Sequence, residues 1–510
     1  MRARGASAMS KETSAPERSA SGAPEAEGAA HGHPSTSRWE PLRSTLAYWR
    51  WASRLAGIWL ARSGGPGAVE TARRERFDAL VVHARANSPY YRRAYRSLPE
   101  RGVDPSTLPV TTKRELMARF DDWATDREIT LEGCRAFIGD PTRIGTQYLG
   151  RYVLWTSSGS TGEPAIYVQD ADALATFDAL MAAHFDPTRM AMPLLARGGR
   201  AALVAATGDH FASVASWQRL CRMSPWIGAR VFSILDPLPA IVAGLNAYRP
   251  SFVASYPTML AELASEQRAG RLRIAPAQLW SGGECLASGT CTEIESAFGA
   301  AVVNEYGASE CMSIAYGCRE GWLHVNADWV LLEPVDRAFR PTPPGEPSQT
   351  VLLTNLANRV QPIIRYDLGD SVLAKPEPCA CGSALPAIRV EGRHDDVVSL
   401  AAADGRIVRL PPLALTTVIE QAAHVTRFQI VQSDPDRLLL RLEPCGAAQR
   451  RAVWEAAADG LRRYLAHQSL SNVRIGLDDK RPVPDRRSGK LREVVVARAA
   501  ASKPARATEA

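Results

Sequence analysis

Residues 156–164 read TSSGSTGEP, a loop of small and hydroxyl-bearing residues that follows the apolar, strand-like stretch RYVLW at 151–155. Small residues let several backbone N–H groups turn toward one point, and the hydroxyls add further donors. We therefore predict a polyphosphate-binding loop between a strand and a helix. It is not a Walker A loop, because no Gly-Lys-Ser/Thr sequence closes it. The alternative is a flexible Ser/Gly linker, but linkers seldom join a buried strand to a helix.

Composition and charge bound the class of protein. The chain has 510 residues and a net charge of +7, and 45% of its residues are hydrophobic, which is ordinary for a globular protein. Residues 480–510 contain nine Lys/Arg and three Asp/Glu, so most of the excess charge lies in one basic tail without a nucleic-acid-binding motif. No apolar run is long enough to span a membrane, and no signal-peptide layout is present. We expect a cytoplasmic protein that binds neither nucleic acid nor membrane.

Three segments of the chain differ in composition and in their pattern of apolar residues. Residues 1–38 are rich in Ala, Ser, Gly, Pro and Glu and contain no aromatic residue, so we expect a disordered leader. From about 150 to 390, short apolar runs alternate with helical stretches, which is typical of α/β layers. After about 392, FQIVQ and RLLLRLE resemble paired strands and a long helix follows. We predict a mixed α/β (α+β) protein with a large domain of layered sheets and helices at 39–392. A small, mobile α+β domain would occupy 393–510, with a disordered tail from about 500.

Five further motifs follow the loop along the chain: SGGE at 281–284, NEYGASE at 304–310, RYDLGD at 365–370, GRHDD at 392–396 and RRSGKLREV at 486–494. Glycines permit a close approach of the backbone to a flat base, although SGGE alone could be a plain turn. A carboxylate is the ligand that Mg²⁺ prefers, and an ionised aspartate offers two acceptor oxygens to a vicinal diol. A lysine can stabilise the negative charge that builds up as pyrophosphate leaves. The set of motifs therefore indicates a nucleotide site.

These motifs, in this order, resemble the adenylate-forming superfamily of acyl-CoA ligases, peptide-synthetase adenylation domains and luciferases, and within it the phenylacetate–CoA ligase-like branch. The resemblance covers about residues 77–496. It implies an enzyme, an acid–thiol ligase, that uses ATP to convert a carboxylic acid into an acyl-adenylate with release of pyrophosphate. Transfer of the acyl group to a thiol such as CoA would follow. The implied cofactors are ATP and Mg²⁺, with CoA as co-substrate.

The resemblance also implies roles for single residues. Tyr306 would stack on adenine, Glu310 would hold Mg²⁺, and Asp370 would accept hydrogen bonds from both ribose hydroxyls. Catalytic roles would fall to Lys490, which enters the site during adenylation, and to Glu310 and Arg393. The expected ATP- or AMP-binding residues are Thr156, Ser157, Ser158, Gly159, Ser160, Thr161, Gly162, Ser281, Gly282, Gly283, Glu284, Tyr306, Gly307, Ser309, Asp370 and Arg393.

The hinge and the acyl pocket follow from the same resemblance. Asp395 matches the hinge about which the small domain rotates, and it lies where the sequence pattern changes near residue 392. The acyl pocket would be lined by His210, Phe211 and Tyr256, whose aromatic surfaces suit an aryl or heteroaryl acid. His210 and Tyr256 could equally be ordinary core residues.

The acceptor of the acyl group is left open. Close phenylacetate–CoA ligases carry a glycine-containing loop after the hinge that helps admit the CoA thiol. This chain reads VVSLAAADGRIVRLPP at 397–412, with its glycine later, in a hairpin-like turn. An amine or a carrier protein is therefore an alternative acceptor, and a homodimer is also left open. In a different class, the chain could be a nucleotide-binding protein without catalysis, although Glu310, Asp370, Arg393 and Lys490 are all present.

A Cys-x-Cys-Gly turn at Cys379 and Cys381 suggests a metal. Two thiolates so spaced can bind one ion, and tetrahedral zinc needs four ligands. Cys318 is the expected third ligand, and Cys311 or His324 the fourth. If present, this zinc would be structural; the alternative is a reduced tight turn without metal.

Overall fold

The computed structural model describes residues 40–157, 165–184, 199–205, 207, 210–223, 228–234, 236, 238–393, 398–410, 428–443, 447–483 and 493–496, with positions 415, 418, 419, 422, 423, 425 and 427. By its internal contacts the chain divides into residues 1–43 and residues 44–510, and the sheets lie in the second unit. The predicted leader at 1–38 and the tail from about 500 fall outside the described residues. No helix in the described part of the chain is long and apolar enough to cross a membrane.

The helices are α1 (Glu40–Ser63), α2 (Gly65–Asn87), α3 (Pro89–Ala94), α4 (Lys113–Ala118), α5 (Phe120–Trp123), α6 (Leu131–Ile138), α7 (Ala171–Ala182), α8 (Ala212–Met223), α9 (Leu238–Tyr248), α10 (Pro257–Arg268), α11 (Ser288–Phe298) and α12 (Ala447–His467), with short 3₁₀ helices at Pro105–Thr107 and Pro141–Arg143. The strands are β1 (Val153–Thr156), β2 (Ile166–Gln169), β3 (Ala201–Ala205), β4 (Ala229–Ser233), β5 (Phe252–Ser255), β6 (Gln278–Gly282), β7 (Val302–Ala308), β8 (Cys311–Gly317), β9 (Leu323–Val325), β10 (Val330–Val335), β11 (Thr350–Asn355), β12 (Ile363–Asp367), β13 (Asp370–Ala374), β14 (Ala387–Arg393), β15 (Val398–Ala401), β16 (Ile407–Leu410), β17 (Phe428–Asp434), β18 (Arg437–Leu442), β19 (Arg474–Asp478) and β20 (Val494–Val496).

The largest sheet of the described residues has nine strands, in the order β13-β14-β9-β8-β7-β6-β5-β3-β4. Strands β4, β3, β5, β6 and β7 are parallel, and the remaining pairs are antiparallel. Between the parallel strands the chain runs through α8 to α11, as the alternation of apolar and helical stretches predicts. The α/β prediction is thereby confirmed.

Both faces of the parallel strands are covered by apolar residues. Val204 and Val253 belong to one core cluster, whereas Leu203 and Ala254, their neighbours in sequence, belong to another. Successive side chains of a strand point to opposite faces of a sheet, so the two clusters lie on opposite sides of it. Burial on both sides explains why these strands read as continuous apolar runs.

The C-terminal part has a core of its own. Strands β17 to β20 form a four-stranded sheet, and its apolar side chains cluster with those of α12 and of the β15–β16 hairpin. The predicted pairing of FQIVQ with RLLLRLE is the antiparallel pair β17–β18. An ion pair of 2.8 Å joins Arg427, just before β17, to Glu262 on α10. A separate core supports the predicted boundary near residue 392, which stays a prediction.

Candidate active site

Residues predicted to bind the nucleotide and the acyl group lie at one edge of the nine-stranded sheet. In a parallel sheet the carboxyl ends of all strands lie at the same edge. Ligands bind there at the topological switch point, where the strand order reverses. That reversal lies between β3 and β5, since β3 leads out to β4 and the chain then returns to β5. Tyr256 directly follows β5, Gly282 ends β6, and Tyr306 lies near the end of β7. The sheet therefore brings three separate motifs to one edge.

The carboxylate of Glu310 lies in the turn between β7 and β8. Its Oε1 accepts hydrogen bonds from the hydroxyls of Tyr167 at 2.6 Å and Tyr366 at 2.8 Å. Burial, followed by the negative charge of Glu310, raises the pKa of Tyr167, so that hydroxyl stays protonated and donates. The Glu310 carbonyl accepts from the Asn355 side-chain amide at 2.9 Å. Among the described residues no hydrogen bond reaches Oε2, which leaves one oxygen of an oriented carboxylate for a cation.

Ser309 joins this turn to the start of the phosphate loop. Its carbonyl accepts a 2.7 Å hydrogen bond from the indole of Trp155, and its hydroxyl lies 3.4 Å from the carbonyl of Thr156. At the neck of the loop, the Ser157 N–H donates to the Ala165 carbonyl at 3.0 Å, and the Ala165 N–H donates to the Ser157 hydroxyl at 3.0 Å. The loop thus leaves and re-enters the fold beside the Glu310 turn.

The prediction of a helix after the loop was wrong. Strand β1 pairs with β2 in antiparallel register from Val153↔Gln169 to Thr156↔Ile166, so the loop connects two strands of a hairpin. The helix α7 starts only at Ala171. The predicted phosphate-binding residues beyond the neck lie outside the described residues: Ser158, Gly159, Ser160, Thr161 and Gly162.

Tyr306 and Asp370 are in direct contact. The Tyr306 hydroxyl donates a 2.6 Å hydrogen bond to Oδ2 of Asp370, which is buried at the start of β13. The register of β13 and β14 pairs Asp370 with Arg393, which ends β14. Three predicted nucleotide residues from three motifs therefore meet in the fold, although only the backbone of Arg393 is described.

The SGGE turn lies between β6 and α11. Ser281 is buried, and Gly283 adopts a φ of +82°, a conformation that glycine reaches without a steric cost. Oε2 of Glu284 accepts hydrogen bonds from the N–H and the hydroxyl of Thr258, at 3.2 and 2.9 Å. Glu284 thereby secures the first turn of α10 and reaches the turn after β5.

Gly307 allows two strands to approach closely. A Cβ at this position would lie 2.0 Å from the Met312 carbonyl across the β7–β8 hairpin, so only glycine fits. The register shifts between Tyr306 and Ala308, where the hairpin turns toward Glu310. The glycine of the NEYGASE motif thus shapes the turn that carries the acidic residue.

Glu305 is a buried carboxylate that the sequence did not single out. It pairs in register with Gly282 on one side and Tyr316 on the other. Burial raises the pKa of Glu305 from an ordinary 4.5 to about 7, although hydrogen bonds with Ser313 and Trp280 lower it in part. The group therefore changes charge near neutral pH, directly beside Tyr306.

The predicted acyl-pocket residues are all buried. The His210 carbonyl accepts the Thr156 N–H at 2.8 Å, which ties this segment to β1. Its ring lies edge-on to Phe137, with centroids 5.9 Å apart, and Nε2 is 3.4 Å from the Asp140 carbonyl. These contacts fit the core alternative for the His210 ring, and the pocket role stays a prediction. Phe211 and Tyr256 lie after β3 and β5 on the same sheet edge.

Lys490 and Asp395 lie outside the described residues. The ends of the lysine segment are nevertheless fixed. The Gln429 side-chain amide donates to the Val483 carbonyl at 3.2 Å, and the Ile430 N–H donates to the Glu493 carbonyl at 2.6 Å. Residues 483 and 493, the described residues on either side of Lys490, are therefore both hydrogen-bonded to neighbouring residues of β17.

A second cluster of chemically active side chains lies along β8, β9 and the segment before β14. The ligating atoms of Cys318, His324, Cys379 and Cys381 all lie within 4.8 Å of one another. Cys311, the other expected ligand, is buried near the start of β8, and its sulfur lies 3.9 Å from the Ser313 carbonyl. Of the two alternatives for the fourth position, only His324 is in the cluster.

No family model and no curated protein matches the chain. Two crystal structures of 2-hydroxyisobutyryl-CoA ligase in the postadenylation state are similar to it. The complex with 2-HIB-AMP has a TM-score of 0.59 and 22% sequence identity, over 85% of this chain and 89% of that chain. The complex with R3-HIB-AMP has a TM-score of 0.57 with the same identity and coverage. The fold is that of 2-hydroxyisobutyryl-CoA ligase. At this identity the likeness establishes the ligase fold alone.

Within the ligase fold, sequence reasoning found Glu310 but missed the side chains that hold it. Tyr366 lies inside the quoted RYDLGD motif, and Tyr167 lies on β2, just past the phosphate loop. The only sign in the sequence that these two residues hold Glu310 is that each is a tyrosine within or close to a predicted motif. Asn355, at the end of β11, gave none.

Proposed function

We propose that this protein uses ATP to activate a carboxylic acid as an acyl-adenylate, releases pyrophosphate, and then transfers the acyl group to the thiol of CoA. The contact that carries the proposal is the hydrogen bond between Tyr306 and Asp370, and the carboxylate of Glu310, oriented by two tyrosines, adds to it. Residues that bind the base, the ribose and the phosphates of one nucleotide have to lie no further apart than the length of that nucleotide. The ligase fold supports the same reading.

Glu310 fits the role of a Mg²⁺ ligand. One of its oxygens is held by two tyrosine hydroxyls, and the other accepts no hydrogen bond from the described residues. A hard carboxylate oxygen in a fixed position suits Mg²⁺, which bound there would neutralise phosphate charge.

Different residues of the chain would have different roles in adenylation. Asp370 would hold the ribose, and the loop from Ser157 to Ala165 would hold the phosphates through backbone N–H groups. Lys490 would bring its ammonium to the phosphates as the acid's carboxylate attacks the α-phosphorus and pyrophosphate departs. Because charge builds up in that transition state, a positioned cation lowers the barrier.

The substrate is proposed to be an aryl or heteroaryl acid, as in the phenylacetate–CoA ligase-like branch. Phe211 and Tyr256 support this, since both are buried at the switch point of the sheet, where ligands enter folds of this kind. Aromatic side chains offer flat apolar surfaces to a flat acid.

One observation favours a second acceptor. After the hinge the chain forms the hairpin β15–β16, and Gly405 in its turn has a φ of +79°. The glycine therefore serves the tip of a hairpin rather than a loop directly after the hinge. An amine or a carrier-protein thiol is thus the alternative acceptor.

Acid-dependent pyrophosphate release across a panel of carboxylic acids, with and without CoA, tests the proposal. We expect release with at least one aryl acid and a thioester product when CoA is added. Release without a thioester would favour the second acceptor. Binding of ATP without release for any acid would instead indicate a catalytically silent nucleotide-binding protein.

A further inference from the structure

The cysteine cluster brings four potential metal ligands together from two separate parts of the chain. Cys318 and His324 come from the β8–β9 hairpin, and Cys379 and Cys381 come from the turn before β14. His324 and Cys379 are buried, and the other two are half-buried. Three thiols and an imidazole at this spacing form the Cys₃His ligand set of structural zinc sites.

Backbone pairing builds the site before any metal is considered. In the β8–β9 hairpin, Tyr316 pairs with His324, and the Cys318 N–H donates to the Trp322 carbonyl at 2.9 Å. These contacts put Cys318 just beyond the strand and beside His324. In the other segment, the Gly382 N–H donates to the Cys379 carbonyl at 3.1 Å, and Gly382 has a φ of +84°. Glycine there lets the chain turn tightly enough for both thiols to face one point.

The distances within the cluster are close to those of a zinc tetrahedron. Two thiolates bound to zinc at about 2.3 Å lie about 3.8 Å apart, and a thiolate and an imidazole nitrogen lie about 3.6 Å apart. The sulfurs of Cys318 and Cys379 are separated by 3.8 Å, and the sulfur of Cys381 lies 3.1 Å from Nε2 of His324. A disulfide would need about 2.0 Å, so Cys318 and Cys379 are not bonded. The sulfur–sulfur distance therefore equals that of a zinc tetrahedron, whereas the sulfur–nitrogen distance would have to lengthen by about 0.5 Å on metal binding.

His324 is oriented as a metal ligand is. Its Nδ1 lies 3.0 Å from the Leu385 carbonyl, which can only accept, so Nδ1 carries the proton. The lone pair is then on Nε2, the atom that faces Cys381. Zinc-bound histidines usually donate their other ring nitrogen's proton to a carbonyl or carboxylate in this way.

We propose that Cys318, His324, Cys379 and Cys381 bind one Zn²⁺ ion that clasps the β8–β9 hairpin to the start of β14. Four protein ligands complete the tetrahedron and leave no open position, so the ion is structural. His324 pairs with Ala387 in the β9–β14 register, and β14 ends at Arg393 opposite Asp370. The clasp therefore fixes the strand that delivers Arg393. The proposal depends only on these residues and is independent of the proposed ligase activity.

Metal analysis of the full chain, purified without a metal-affinity tag or chelator, tests this directly. We expect about one zinc per chain by elemental mass spectrometry. Cys379→Ser should lose most of the zinc, whereas Cys311→Ser and Cys291→Ser, which change thiols outside the cluster, should keep it. Zinc near zero in the unaltered protein, iron in its place, or a Cys318–Cys379 disulfide in the intact mass would overturn the proposal.

A second measurement guards against a variant that fails to fold. After removal of zinc from the unaltered protein, added Co²⁺ should give the intense thiolate-to-cobalt charge-transfer absorption of a tetrahedral thiolate site, and zinc should abolish it. The melting temperature should fall on zinc removal and recover on its return. A cobalt complex without thiolate absorption, or a melting temperature indifferent to zinc, would argue against a structural role at this cluster.

Discussion

The hydroxyl of Tyr306 donates a 2.6 Å hydrogen bond to Oδ2 of Asp370, which joins two motifs 64 residues apart in the sequence. The predicted role of Tyr306 is to stack on a base, and that of Asp370 is to bind the ribose attached to it. Base and sugar are adjacent in every nucleoside, so side chains with these roles have to be neighbours. Their contact is therefore a strong geometric argument for a nucleotide site.

Replacing Asp370 with Asn should weaken ATP binding roughly tenfold to a hundredfold, because a hydrogen bond to a charged group contributes about 1.5–3 kcal/mol. Tyr306→Phe is the matched control, since it removes the hydroxyl that contacts Asp370 but keeps a ring for stacking; its effect should be smaller. Calorimetric titration with ATP measures both. Equal affinity of Asp370→Asn and the unaltered protein would exclude Asp370 from the site.

The tyrosines that hold Glu310 make a separate prediction. Tyr167→Phe and Tyr366→Phe each remove one donor to Oε1. Partners that orient a metal ligand typically change metal affinity about 10- to 100-fold when lost. Half-maximal pyrophosphate release should therefore require correspondingly more Mg²⁺. Tyr152→Phe removes a 2.6 Å hydrogen bond to Asp126 instead and should leave the Mg²⁺ dependence unchanged; identical Mg²⁺ curves for all three variants would contradict the role of Glu310.

The raised pKa of Glu305 predicts a pH-dependent stability. The folded state binds the proton up to about pH 7, whereas an ordinary glutamate releases it near 4.5. The folded state thus binds more protons than the unfolded state in this window, so Glu305 lowers stability as the pH rises through it, by about 3 kcal/mol at most.

Glu305→Gln cannot ionise and should therefore gain melting temperature relative to the unaltered protein by roughly a few degrees at pH 8. At pH 4.5 that gain should be absent. Comparing the two proteins at each pH cancels the titration of other groups. A constant difference between them across this range would show that Glu305 has an ordinary pKa.

Lys490→Ala should abolish adenylation while ATP still binds. Loss of one charge-stabilising donor in a transition state costs roughly 3–4 kcal/mol, or about 10²- to 10³-fold in rate. Arg487→Ala removes a nearby positive charge that we interpret as solvated, and it should retain the rate. Single-turnover pyrophosphate release with saturating ATP measures the step, and unchanged release in Lys490→Ala would refute the assignment.

Local patterns allowed much of the fold to be predicted. The parallel strands and the helices between them follow the alternation of apolar runs and helical stretches in the sequence, because each of these strands is buried on both faces of one sheet. The strand β2 between the phosphate loop and α7 was missed because AIYVQ is too short an apolar run to be identified as a strand without its partner β1. Tyr167 reaches Glu310 across 143 residues, a distance at which sequence pattern carries no information about contacts.

The fourth ligand of the cysteine cluster shows the same limit. Sequence spacing left Cys311 and His324 as equal alternatives. Hairpin register separates them, because it pairs His324 with Tyr316, two residues before Cys318, and leaves Cys311 near the opposite end of the strand. Register depends on pairing between strands and could not be read from either strand alone.

The anchoring of the lysine segment has a mechanical consequence. Val483 and Glu493 are hydrogen-bonded to Gln429 and Ile430, adjacent residues of one strand, so both ends of the lysine segment are attached at one place on the small sheet. Residue 490 is only three residues from the second anchor and can reach no further than about 11 Å from it along the backbone. A rigid rotation of the small sheet would move both anchors together, so under the proposed function the distance between Lys490 and the nucleotide residues would depend on the orientation of that sheet.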